Sequence, residues 1–94
     1  GRLRVDVGQM RRLNPSAIPV YPSLARQQHI EGVVRLEFYV SSEGIVEEIK
    51  VLSGHELLAR SAVDAVKQWR YEPVNVGEKP VPVVTTVDVY FRLN

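Results

Sequence analysis

Ninety-four residues are enough for one small domain and too few for two ordinary ones. A chain of this size buries roughly two-thirds of its extended surface, so it can fold alone but has little room for an enclosed pocket, which argues against a self-contained enzyme. Without cysteine it has no disulfide, thiol nucleophile or cysteine-based zinc site, and 12 Lys+Arg against 11 Asp+Glu, a net charge of +1, do not make the concentrated basic patch of a nucleic-acid module.

The balance is uneven along the chain. Residues 1–14 carry Arg2, Arg4, Arg11 and Arg12 against Asp6 and read as a basic flanking segment, irregular or with a short edge strand around Leu3 and Val5. Asn14-Pro15 and Pro19 punctuate the stretch up to Val20, and residues 15–94 are read as the domain proper. Pro22 suits the first turn of a short helix running to Gln28 or His29, with Gly32 as the stop beyond it. Two turns are unstable in isolation, so Leu24, Ala25 and Ile30 must pack on the rest of the domain.

Val33 to Ser41 alternates, with Val34, Leu36, Phe38 and Val40 on one face and Arg35, Glu37 and Tyr39 on the other. Ser41-Ser42-Glu43-Gly44 supplies a turn and Ile45 to Leu52 a second strand, which makes a hairpin. Ser53 with Glu56 fits a capping box. Leu58, Ala62, Ala65, Val66 and Trp69 then recur at helical spacing until Tyr71 and Pro73 end the helix. Asn75 to Pro82 reads as a connection, and Val83 to Leu93 as a long strand. The fold class expected is α+β, a two-layer sandwich in which two helices cover one face of a three-stranded antiparallel sheet.

His29 and His55 share no metal-ligand spacing, there is no nucleophile elbow or phosphate-cradling loop, and Glu56 and Asp64 are interleaved with Arg60 on a charged helix face. No catalytic residue, metal site or cofactor is expected. Trp69, Phe38, Phe91 and Tyr21 read as core or core rim, whereas Tyr39 and Tyr90 lie opposite the inward residues of their strands. The last strand, Val83 to Leu93, has no internal proline and only Asp88 and Arg92 as charges, and its candidate contact residues are Val83, Val84, Thr85, Thr86, Val87, Asp88, Val89, Tyr90 and Arg92. At a sheet edge it would be poorly protected against pairing with another chain, the physical basis of peptide capture by strand addition. Placed centrally, or capped by the N-terminal segment, it would not; periodicity alone leaves both open.

Tyr21-Pro22-x-Leu24-Ala25-Arg26, Glu31-Gly32-Val33-Val34, Gly44 with Val46, Ser53-Gly54, Leu58, Ala62, Ala65, Trp69-Arg70-Tyr71-x-Pro73, Gly77-x-Lys79-Pro80-Val81, Val87 and Phe91 together resemble the C-terminal domain of TonB-family energy transducers. The resemblance implies the same two-layer domain, without enzymatic activity or cofactor, located in the periplasm on a chain whose N-terminal part holds an inner-membrane helix and a proline-rich spacer. It implies an ExbB/ExbD-like proton-driven motor as one partner and the TonB box of outer-membrane receptors as the other, the latter added to an exposed strand that maps to Val83 to Arg92. It also allows a homodimer through exchange of strand-rich ends, and no nucleic-acid partner. The same domain occurs in envelope, signalling and assembly proteins that do not transduce energy.

Overall fold

The structure, a computed structural model, describes residues 2–14 and 17–94; Pro15, expected to break the chain, lies outside them. Its first long strand, β2 (Gly32–Val40), follows the short strand β1 (Leu3–Arg4) and the helix α1 (Ser23–Gln27). Branched and aromatic residues at every second position favour the extended backbone and supply one apolar face. Val34, Leu36, Phe38 and Val40 are accordingly buried, while Val33 and Arg35 are exposed. A turn at Gly44 returns the chain as β3 (Val46–Ser53), and Gly54 leads into α2 (Glu56–Val66). Two three-residue strands, β4 (Val74–Val76) and β5 (Lys79–Val81), form a separate hairpin before β6 (Val83–Phe91).

The sheet order is β1-β6-β2-β3, with β6 antiparallel to β2 over all nine of its residues. The register sets Val34 opposite Val89, Leu36 opposite Val87, Phe38 opposite Thr85 and Val40 opposite Val83, so the inward faces of both strands form one apolar floor. Leu58, Ala62, Ala65 and Val66 of α2 and Ala25 of α1 lie on it. Both ends of this core are closed by aromatic rings. Trp69 and Tyr71 meet Phe38 at 6.4 and 6.2 Å at one end, and Tyr21 meets Phe91 edge-on at 5.6 Å at the other.

The two-layer α+β class expected from the sequence is the one observed, with four differences of detail. The sheet has a fourth strand, β1, parallel to β6, and the connection before β6 is itself a hairpin. The capping box at Ser53 does not form, because β3 continues through Ser53 and the helix cannot start until the chain has turned at Gly54; His55 is the N-cap, its Nδ1 accepting from Leu57 N–H at 3.1 Å. Last, α2 ends at Val66 instead of Trp69. Residues 68–72 are drawn away by the N-terminal segment: Leu13 N–H donates to the Arg70 carbonyl, Glu72 N–H to the Arg11 carbonyl and the Trp69 indole N–H to the Ala17 carbonyl.

The Tyr21-Pro22 step is held by more than its own geometry. Pro22 is the N-cap of α1, and the Tyr21 hydroxyl donates to the Ile30 carbonyl beyond the helix, closing the loop around Ala25. Tyr21→Phe keeps the ring against Phe91 and leaves that carbonyl without its donor. A loss of about 1 kcal/mol is expected, read as a fall in melting temperature of roughly 4–8 °C for a domain of this size.

Candidate functional site

A strand adds to a sheet only where a neighbouring strand has free backbone groups, so the first question is which edges are open. One edge is β3. Its ladder with β2 is interrupted at two places, Glu48 stands at φ 50, and Glu47, Glu48 and Lys50 are exposed along it. Bulges and charges of this kind discourage further pairing.

The other edge belongs jointly to β1 and β6. β1 pairs Leu3 with Val83 and Arg4 with Val84, and Val5 N–H donates to the Val84 carbonyl at 3.0 Å. The chain then leaves the sheet at Asp6, which caps a 3-10 turn at Val7–Gln9. Val83 and Val84, which the resemblance maps to the exposed strand, are therefore already bordered by the N-terminal segment, one of the alternatives that periodicity left open. Past Val84 no described strand pairs with β6 on this side. Because backbone groups alternate in direction along a strand and the Val84 carbonyl faces β1, the N–H and C=O groups of Thr86, Asp88 and Tyr90 face outward as well. Those of Thr85, Val87, Val89 and Phe91 belong to the β2 ladder. The open edge spans about 20 Å at strand rise.

Side chains on the outer sheet face link this edge to β2. Arg35 and Asp88, directly opposite each other in the register, form a fork with Arg35 Nε to Asp88 Oδ1 at 2.8 Å and Nη2 to Oδ2 at 3.1 Å. Arg4 reaches Glu37 Oε2 at 2.6 Å and Thr86 Oγ1 at 3.1 Å. Arg2 lies over the Tyr39 ring at 4.0 Å and meets Glu48 at 3.6 Å, which accounts for the half-burial of Tyr39, while Tyr90 stays 60% exposed. Where β1 peels away, Arg4, Val5, Asp6, Val7, Arg35, Thr85, Thr86 and Asp88 line a groove of about 600 Å³.

The hydrogen bonds from Arg35 hold the Asp88 carboxyl below its ordinary value, with the Arg35 charge acting in the same direction and desolvation opposing it. Because the folded pKa is lowered, the fork's contribution is complete above the unfolded carboxylate value of about 3.9. It is lost as pH falls through the lowered folded value. A carbon-13 carboxyl titration should give Asp88 a midpoint below that of a free aspartate, and Arg35→Gln should raise it. A parent midpoint at or above the free value would contradict the fork.

The motif residues lie elsewhere, in the core, at its rim and at the ends of strands. Ala25 is buried under the covering layer and Arg26 stacks over the Tyr21 ring at 5.0 Å. Gly32 opens β2, Gly44 packs on the Tyr71 backbone, and Pro73 precedes β4. Trp69 and Tyr71 close the core, with Arg12 lying over the Trp69 ring at 4.1 Å. Burial pushes the Tyr71 phenol up against the pull of Arg12. Among the described residues no group of His, Asp and Glu is arranged to hold a metal ion, and no helix is long and apolar enough to cross a membrane.

The family model described as the C-terminal of the Gram-negative bacterial TonB protein matches residues 17–93. The chain is similar to protein tonB2 of Pseudomonas aeruginosa, 40% identical over 83 residues, covering 86% of this chain and 30% of that protein. It is also similar to protein TonB of Vibrio cholerae, 35% identical over 77 residues, covering 80% of this chain and 32% of that one. The solution NMR structure of the Pseudomonas aeruginosa TonB C-terminal domain superposes with a TM-score of 0.69 at 33% identity, covering 92% of this chain and 96% of that one. The chain is thus a two-layer α+β domain with an open strand edge. It belongs to the TonB C-terminal domain family, that of the TonB energy transducers, and spans under a third of the length of the two relatives named.

Proposed function

We propose that this domain is the non-enzymatic, periplasmic peptide-binding end of an energy transducer, which captures the TonB box of outer-membrane receptors as an added strand along β6. The observation that carries the reading is the run of unpartnered, outward backbone groups at Thr86, Asp88 and Tyr90 on a strand laddered along its whole other side. Backbone hydrogen bonds supply sequence-tolerant affinity, and alternate side chains supply register. A regular, charge-forked strand is better suited to this than the bulged edge at β3.

In this reading, force from an inner-membrane motor of the ExbB/ExbD type arrives through the part of the protein preceding the domain, which carries the membrane helix. The long antiparallel ladder between β6 and β2 passes it to the bound peptide. The test is an amide-shift titration with short peptides carrying receptor TonB boxes. Shifts on Val83 to Arg92 and their β2 neighbours are expected; shifts confined to residues 1–32 would sink the strand-addition reading.

A further inference from the structure

The lane beside β6 already has an occupant. Residues 2–5 lie in it as a parallel strand, satisfying the Val84 carbonyl through Val5 N–H. The Thr85 hydroxyl, on the one buried polar residue among those described, donates to the Val5 carbonyl at 2.6 Å. That last contact reads a backbone oxygen and no side chain, so any parallel strand in the same register could satisfy it. The occupant is lightly held. β1 is two residues long, and Leu3 and Arg4 are both exposed. The polar side-chain contacts of residues 2–4 are the ion pairs from Arg2 to Glu48 and Arg4 to Glu37, the Arg4 bond to Thr86 and the Arg2 stack on Tyr39, all at the surface, where such pairs are weak. Val5 adds one partly buried side chain to that hold, and Val7 and Met10 pack on the core beyond it, so the chain after Asp6 stays attached when residues 2–5 leave.

We propose that residues 2–5 are a resident stand-in strand, which an incoming parallel strand displaces from Val83 and Val84 when it pairs along β6. The resident strand shows what the lane accepts: an apolar residue at the positions of Leu3 and Val5, and a basic or polar residue at the position of Arg4, over Glu37 and Thr86. It also sets the working affinity, because a ligand that needs the vacant lane binds more weakly by the fraction of molecules in which the lane is vacant. The external ligand rests on the capture reading; the stand-in itself does not.

The test uses the full chain and its Arg2→Glu/Arg4→Glu variant, in which both surface charges oppose Glu37 and Glu48 while nothing buried changes. Two probes are titrated separately, a capped hexapeptide of residues 2–7 (RLRVDV) and a TonB-box peptide. In the variant, the Val5 amide should exchange with solvent faster while the β2–β6 amides keep their protection. The hexapeptide should shift the Val84 to Tyr90 amides of the variant, with affinity about tenfold above that for the parent. The TonB-box peptide should also bind the variant about tenfold more tightly, and at saturation should release the Val5 amide of the parent. The proposal is overturned if the Val5 amide is equally protected in both chains and the hexapeptide does not distinguish them. It is equally overturned if the TonB-box peptide binds β6 with the same affinity in both chains and leaves the Val5 rung intact, a result that would leave the capture reading standing. If the hexapeptide behaves as expected and the TonB-box peptide shifts nothing in either chain, the stand-in strand holds and the capture reading fails.

Discussion

Asp88→Pro is expected to abolish strand capture while leaving the domain folded, and Val87→Pro, one residue earlier, to unfold it. The two positions differ in where their N–H points. Val87 faces Leu36 in the β2 ladder, so a proline there removes an internal hydrogen bond and forces its ring against the neighbouring strand, costing about 3 kcal/mol or more. That is a large fraction of the roughly 5–15 kcal/mol that holds a domain together. The Asp88 N–H points into the empty lane, where proline is tolerated as it is on other solvent-facing strand edges. Its ring fills that lane at the centre of the open edge and its missing donor takes one rung from an incoming strand. A fall in peptide affinity of at least about tenfold follows from a hydrogen bond of roughly 1.5 kcal/mol. Asp88→Asn is the control: it loses the Arg35 fork but keeps the N–H, and should bind nearly as well as the parent. Thermal melts report the fold and peptide titrations the capture. Equal unfolding by both prolines, or full affinity in Asp88→Pro, would show that the outward alternation assigned to β6 is wrong.

The sequence made visible those parts of the molecule whose pattern is set by burial. Val34, Leu36, Phe38 and Val40 alternate because one sheet face is covered, and Leu58, Ala62, Ala65 and Val66 recur at helical spacing because one helix face is. The parts that were not legible depend on partners distant in sequence. The short edge strand expected around Leu3 and Val5 is found at Leu3 and Arg4, but that it lies parallel beside Val83 and Val84 depends on those distant partners, which no local period announces. The arms of the β4–β5 hairpin are three residues each, too short for alternation to stand out, although Val74, Val76 and Val81 around Gly77 were a usable sign. Ser53 satisfies a local capping rule that loses to the continuation of β3. The same holds for the candidate site. Valine and threonine content identified β6 as a strand able to accept another, but whether it borders open space is decided by sheet order, and the answer differs between its two halves.

Gly44→Ala should be among the most damaging single substitutions in the chain, although it adds only one methyl group. Gly44 is buried at φ 87 in the turn between β2 and β3, a conformation that costs an L-residue roughly 1–2 kcal/mol. A Cβ there would stand 1.9 Å from the Tyr71 carbonyl oxygen, so the two backbones cannot both remain in place. Neither is free to move. The Gly44 carbonyl accepts from Tyr71 N–H at 3.0 Å, Gly44 N–H donates to the Ser41 carbonyl at 2.9 Å, and the Tyr71 ring is stacked on Phe38 against Trp69. Separating them opens the end of the core that these rings close. A total cost of about 3–5 kcal/mol is expected, in the range reserved for combined strain and overpacking, and at roughly 4–8 °C per kcal/mol a fall in melting temperature above about 12 °C. Gly77→Ala isolates the backbone part, because its φ of 65 is also left-handed but nothing lies within 4 Å of its Cβ position, and it should cost only about 1–2 kcal/mol. Peptide affinity per folded molecule should be unchanged in both variants, because the β2–β6 ladder that holds the open edge touches neither glycine. Comparable losses from the two substitutions would mean that the Gly44–Tyr71 approach does not carry the Trp-Arg-Tyr segment, and that this motif is held in place by the N-terminal strap at residues 11–14 alone.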